Sequence, residues 1–119
     1  MSVIQEIILS ITSLEESIIE YYKRENIREF ISILENAEEF ITNKNIQRIH
    51  KQHNIEIDNL VQALKQLREE AELFRKKPSE FGVDTKIFFY KTIADKRSVL
   101  LQEFEAVHKE YKKVQIREQ

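Results

Sequence analysis

The chain has no cysteine, no tryptophan, and only one glycine and one proline. Without cysteine it cannot form a disulfide, bind zinc through thiolates or use a thiol nucleophile. Phosphate-binding loops and nucleophile elbows need glycines at defined spacings, which the single Gly82 does not supply. We therefore expect a non-enzymatic protein that uses no cofactor, holds no metal and takes no small-molecule substrate.

Long apolar runs are also absent. No stretch approaches the roughly 18 consecutive apolar residues of a membrane-spanning helix, so no membrane span is expected. The first twenty residues are interrupted by glutamates and lack a basic leader, which is not typical of a signal peptide. The composition is 41% apolar and 34% charged over 119 residues, as in folded helical proteins. A single cytoplasmic, soluble domain spanning residues 1–119 is the expectation.

Apolar residues recur every three or four positions along nearly the whole chain, which predicts amphipathic helices. The predicted helices cover residues 2–22, 27–42, 46–76 and 85–115. The phase of the pattern changes near Lys23–Asn26 and again at Thr42–Asn45, where Asn45 is a candidate N-cap. The third helix carries a heptad frame typical of a coiled coil, unbroken from Ile46 to Phe74.

These helices predict an all-α fold, an up-down antiparallel bundle of three to four helices. Pro78 and Gly82 place the bend of a long C-terminal helical hairpin at residues 77–85. If the change of phase near Lys23–Asn26 is only a kink, the bundle has three helices and the first is bent. In the last helix, the inward-facing positions are predicted to be Ile93, Leu100, Phe104, Val107 and Tyr111.

Three histidines are candidates for chemistry. His50 and His53 fall on successive a and d positions of the heptad frame, which form the seam of the third helix. They share one face, so both rings could reach one metal ion. His108 ends a Glu-x-x-His motif, but ferritin-like di-metal bundles carry two such motifs and this chain has one. Alternatively, the two histidines have a structural role. His50 and His53 then lie at the more solvent-accessible end of the seam, near the Thr42–Asn45 turn. One ring nitrogen is then expected to bond to a backbone or side-chain partner.

The same residues support a second hypothesis. The chain resembles histidine phosphotransfer domains in its size, its helical bundle and the pair His50-Lys51. The resemblance implies that a histidine near a lysine carries the phosphoryl group, but the glycine that usually follows that histidine is missing here. Histidine phosphotransfer or metal binding through His50 and His53 is therefore the alternative function, and it rests on fold-level analogy.

One isoleucine and three aromatic residues follow one another at the start of the last helix: Ile87, Phe88, Phe89 and Tyr90. Four consecutive large apolar residues cover more than a full turn, so one neighbouring helix cannot bury them all. They are either enclosed between the bend and two helices, or partly exposed as a surface for a protein partner or self-association. Further candidates for this partner-binding surface are Phe81, Tyr21 and Tyr22.

Charge is unevenly distributed along the chain. Residues 1–42 carry three basic and nine acidic side chains, whereas residues 43–77 carry eight basic and five acidic ones. Either these charges complement one another across the bundle, or the acidic N-terminal part binds a partner. The basic clusters are short and lie at predicted helix ends, so nucleic-acid binding is not expected. The leading hypothesis is a protein–protein interaction bundle, such as an adaptor, an assembly subunit or a chaperone-like or regulatory binder.

Overall fold

A computed structural model of the protein describes residues 2–23, 27–76 and 85–118. The described residues form five helices and no strand, which confirms the predicted all-α fold. The helices are α1 (Val3–Lys23), α2 (Ile27–Ile41), α3 (Lys44–Gln52), α4 (Asp58–Lys76) and α5 (Thr85–Glu118).

Four of these helices surround a common core. α1 packs against α2 and α5, and α4 packs against the same two helices from the opposite side. Leu9 of α1 and Phe40 of α2 line one groove. A single kinked helix would hold these residues about 45 Å apart, so α1 and α2 are separate helices folded back on each other. The turn predicted at Lys23–Asn26 includes residues 24–26, which lie outside the described residues.

The core is made of the apolar stripes that the periodicity indicates. Phe30, Leu34, Ala37 and Ile41 of α2 are buried. The five inward positions predicted for α5 are all buried: Ile93, Leu100, Phe104, Val107 and Tyr111. The 34-residue helix α5 is about 51 Å long, which accounts for most of the 55 Å length of the molecule.

The prediction of one continuous helix over residues 46–76 is wrong. α3 ends at Gln52 and α4 begins only at Asp58. Asn54 adopts the left-handed conformation with φ of 55°. The Ile55 N–H donates to the carbonyl of His50 at 2.8 Å, and the Asn54 N–H donates to that of Lys51 at 3.3 Å. This pair of bonds is a Schellman motif, which satisfies the last carbonyls of α3 and turns the chain.

The heptad frame did not reveal this break because its seam positions face the core both in α3, before the break, and in α4, after it. His50 before the turn and Leu60 after it are both buried, so the apolar spacing continues although the helix does not. The informative residues are Asn54 and Ile55. Asparagine tolerates the left-handed conformation better than other residues with a side chain, and Ile55 is buried although it lies off the predicted seam.

The start of α3 also differs from the prediction. Asn43, and not Asn45, is the N-cap, and its side-chain oxygen accepts a hydrogen bond of 2.9 Å from the Asn45 N–H. The helix therefore begins at Lys44, two residues earlier than predicted. Both asparagines lie in one polar cluster, and the choice between them depends on backbone dihedrals that composition does not define.

The C-terminal hairpin is present. Lys96 of α5 pairs with Glu70 of α4 at 3.4 Å, and the two helices pack together. The bend predicted at residues 77–85 falls on residues 77–84, which lie outside the described residues, and α5 starts at Thr85. None of the described helices has the combination of length and apolarity needed to cross a bilayer.

Replacing Asn54 tests the turn between α3 and α4. We expect Asn54→Gly to keep or slightly raise the free energy of unfolding, because glycine has no steric cost at positive φ. Asn54→Ala should lower it by about 1 kcal/mol. Urea unfolding of both variants measures the difference. As a control, Gln62 is exposed within α4, and there alanine should be more stable than glycine by about 1 kcal/mol. A continuous helix over residues 46–76 would give the alanine preference at both positions.

Candidate functional site

His50 is a buried polar residue that joins α3 to α5. Only 4% of its surface is exposed, and Tyr111 of α5 is fully buried. The Nε2 atom of His50 and the Tyr111 hydroxyl form a hydrogen bond, and the two ring centroids are 5.6 Å apart. Either tautomer of the neutral imidazole satisfies this bond. The Nδ1 atom is also buried and has no hydrogen-bond partner among the described residues.

Burial determines the protonation state of this pair. It lowers the pKa of His50 from 6.5 to about 4, because a positive charge in the apolar core loses its hydration. Burial also raises the pKa of Tyr111. Both groups are therefore neutral at pH 7. The pair is a buried polar contact in which one ring nitrogen of His50 bonds to a side-chain partner.

An open pocket of about 520 Å³ lies beside this pair at the junction of α3 and α4. The residues that line it are His50, Gln47, Lys51, Asn54, Ile55, Glu56, Ile57 and Asp58. The ammonium of Lys51 and the carboxylates of Glu56 and Asp58 give the pocket mixed charge. His50 presents little surface to it. Because the Nε2 atom of His50 is bonded to Tyr111, a phosphoryl group or metal ion could bind that nitrogen only by displacing the hydroxyl.

The other two histidines lie in different surroundings. His53 is the C-cap of α3, is half-buried, and its backbone N–H donates to the carbonyl of Ile49. His108 faces α1, where its Nδ1 atom lies 3.4 Å from a carboxylate oxygen of Glu15. Within the described ranges, no cluster of three or more histidine, aspartate or glutamate side chains is arranged to hold a metal. Phosphotransfer or metal binding remains a prediction that no described contact supports.

The predicted aromatic surface falls largely outside the described part of the chain. Phe81 lies in the undescribed segment. Ile87, Phe88, Phe89 and Tyr90 belong to the first turns of α5, and Tyr21 and Tyr22 to the last turn of α1, but their side chains are not among those described. This surface remains a prediction from the sequence.

A second apolar surface lies between α1 and α2, and sequence reasoning missed it. Leu9, Ser10, Ser13, Leu14 and Phe40 line a groove of about 350 Å³. Leu9 is 54% exposed, while Leu14 and Phe40 are half-buried and pack against the core. The available signal was the pair Ile8-Leu9, which makes the apolar face of α1 wider than one neighbouring helix can cover. We call these five residues the α1–α2 groove.

The segments of α1 and α2 that contribute to the α1–α2 groove carry only acidic charges, and the basic residue nearest to Phe40 in the sequence is Lys44 at the start of α3. Neither residues 1–22 nor residues 29–43 contain a lysine or an arginine. Part of the acidic charge is used within the bundle, since Glu38 pairs with Arg68 of α4 at 3.4 Å and Glu15 faces His108. Glu6, Glu16 and Glu39 are instead exposed. Charge complementarity across the bundle is therefore seen in these contacts with α4 and α5, whereas partner binding by the acidic N-terminal part remains a prediction.

The buried imidazole should make stability depend on pH. The unfolded chain takes up a proton at His50 near pH 6.5, whereas the folded chain does so only near pH 4. The contribution of the neutral ring is complete above pH 6.5 and is lost as the pH falls towards 4, by about 3 kcal/mol in total. Urea unfolding of wild type and His50→Gln between pH 7 and 4 should show a smaller loss in the variant.

Carboxylates also titrate in this range, so the comparison needs a matched control. His53→Gln removes a half-buried histidine at the end of the same helix. Between pH 7 and 4, His50→Gln should lose less stability than this variant does. Equal pH dependence of wild type and His50→Gln would contradict the burial of a neutral imidazole.

The hydrogen bond between His50 and Tyr111 should be measurable as a coupling energy. Tyr111→Phe leaves a buried imidazole without its partner and should lower the free energy of unfolding by about 1–3 kcal/mol. His50→Leu combined with Tyr111→Phe removes both polar groups and should cost less than the sum of the two single variants. A double-mutant cycle by urea unfolding measures this. Additive losses would show that the two side chains do not interact.

No protein-family model, curated protein or solved structure matches the chain. Any function must therefore be proposed from the buried groups and the surfaces of this molecule. His50 and Tyr111 are buried and bond to each other, whereas the α1–α2 groove presents apolar surface to its surroundings.

Proposed function

We propose that the chain is a non-enzymatic protein–protein interaction bundle, an adaptor, assembly subunit or chaperone-like binder of the cytoplasm. The observation that carries the proposal is the α1–α2 groove, in which an exposed leucine lies beside half-buried apolar side chains. Contiguous apolar surface with a polar rim is typical of interaction sites on helical proteins.

The composition of the groove favours a protein partner over a small molecule. It is shallow and open, and its polar lining consists of two serine side chains. A small-molecule site usually encloses its ligand and fixes it with several convergent polar groups. A shallow apolar groove between two helices instead fits the side chains of another protein element.

The other exposed large apolar residues are Val3 on α1, Leu73 on α4, and Val99 and Ile116 on α5. Leu73 lines a pocket of about 360 Å³, but its other lining residues, Arg68, Glu69 and Glu72, are all charged. Scattered apolar residues of this kind are normal on protein surfaces. Leu73 and Val99 serve as control positions for experiments on the groove.

The absence of cysteine gives a direct test, because one introduced cysteine carries one label. A benzophenone photo-crosslinker is attached to Leu9→Cys and, as the control, to Val99→Cys, which replaces a residue of similar exposure on α5. Each labelled protein is irradiated alone and in a lysate of its native cells. We expect a discrete crosslinked protein from position 9 and little from position 99.

Competition separates specific binding from chance capture. Excess unlabelled wild-type protein should abolish the crosslink from position 9, while excess Leu9→Glu should not, because the buried charge opposes docking. A product of twice the chain mass from the purified protein alone would identify self-association. Equal products from positions 9 and 99, or none from either, would contradict the proposed function.

A further inference from the structure

We propose that the occupant of the α1–α2 groove is a basic amphipathic helix of a partner protein. The inference rests on the proposed function, because it names the chemistry of the partner that the groove binds.

Charge is the first argument. Between them, residues 1–22 and 29–43 carry eight glutamates and no lysine or arginine: Glu6, Glu15, Glu16, Glu20, Glu29, Glu35, Glu38 and Glu39. Helical spacing places Glu6 one turn before Ser10 and Glu16 one turn after Ser13, both on the side of α1 that lines the groove. A partner with lysine or arginine on both flanks of its apolar stripe complements this rim.

The small side chains of α1 are the second argument. Ser10 and Ser13 line the groove, and Ser17 follows at the same helical spacing. Because serine side chains are short, they form a shallow channel between the larger side chains of Leu9, Leu14 and Phe40. A third helix can place its apolar ridge in such a channel, as in other helix-in-groove complexes.

The dimensions agree with a helical partner. α1 has 21 residues and is therefore about 31 Å long. A partner helix of about 18 residues would be about 27 Å long and would lie along α1 and α2. The exposed glutamates Glu6 and Glu16 are about 15 Å apart along the axis of α1, so basic residues spread over three turns can meet both.

A second copy of this surface is a poorer occupant. Two α1–α2 faces would bring carboxylates opposite carboxylates, and like charges across an interface oppose association. The chain also has a formal net charge of −2, so two copies do not attract one another through their overall charge. The same reasoning disfavours an acidic partner.

The test uses two synthetic peptides of about 18 residues with the same apolar residues at i, i+3, i+4 and i+7. One peptide has lysine at the flanking positions and the other has glutamate. Binding is measured by fluorescence anisotropy at low salt and at 0.5 M salt. We expect the lysine peptide to bind wild type roughly 2- to 30-fold more tightly than the glutamate peptide, as two exposed ion pairs would give. High salt should reduce this preference.

Charge reversal locates the binding surface. Glu6→Lys combined with Glu16→Lys should remove the preference for the lysine peptide. The matched control, Asp95→Lys combined with Glu105→Lys, changes the net charge equally at exposed positions of α5 and should keep it. Leu9→Glu should weaken binding of the lysine peptide, while Val99→Glu should not.

The possible outcomes separate this inference from the proposed function. Equal affinity for both peptides, or equal effects of the two charge-reversed variants, would overturn the inference. If position 9 still crosslinks to a protein in the lysate, the proposed function stands and its partner has another chemistry. A self-crosslink of twice the chain mass at position 9 would identify a second copy as the occupant and would likewise overturn the inference.

Discussion

The structure depends on a shared apolar core to which four helices each contribute one stripe. Ile11 and Ile18 of α1, Leu34 of α2 and Leu64 of α4 are among its fully buried members, and α5 runs along it with Phe104 and Tyr111. Burying each large apolar side chain contributes about 1.5–3 kcal/mol. Because the core is formed by one face of each helix, the opposite faces are free to vary in charge and shape.

One end of this core is closed by a polar pair. The left-handed Asn54 ends α3, and His50 in the last turn of α3 reaches the buried hydroxyl of Tyr111 on α5. The bond offsets the cost of burying both polar groups, and burial keeps the imidazole neutral. The histidine that looked most suited to chemistry is thus held within the core by its neighbour on α5.

Most of the fold could be predicted from periodicity, because burial along a helix recurs every three or four residues. The inward positions of α5, from Ile93 to Tyr111, follow directly from that spacing. The break at His53–Ile57 was missed because the heptad positions His50 and Leu60, before and after this turn, are both buried. The partner of His50 was missed because it lies on another helix, and only tertiary packing brings the two residues together.

The α1–α2 groove was also hard to predict, because only tertiary packing brings its residues together. The aromatic turn at Ile87–Tyr90 is conspicuous in sequence, since its residues are consecutive. The α1–α2 groove combines Leu9 and Phe40, which are far apart in the chain and unremarkable separately. Its acidic character follows from the absence of lysine and arginine in residues 1–22 and 29–43, but its position between two helices depends on their pairing.

The central claim is that the acidic α1–α2 face is where this bundle meets a partner. The most direct measurement is a nitrogen-15 chemical-shift map of the protein during titration with the lysine-flanked amphipathic peptide. The account predicts that the largest shifts occur at Leu9, Ser13 and Phe40, while Leu73 on α4 and Val99 on α5 remain unchanged. Shifts concentrated on α4 and α5, or spread evenly over the molecule, would contradict it.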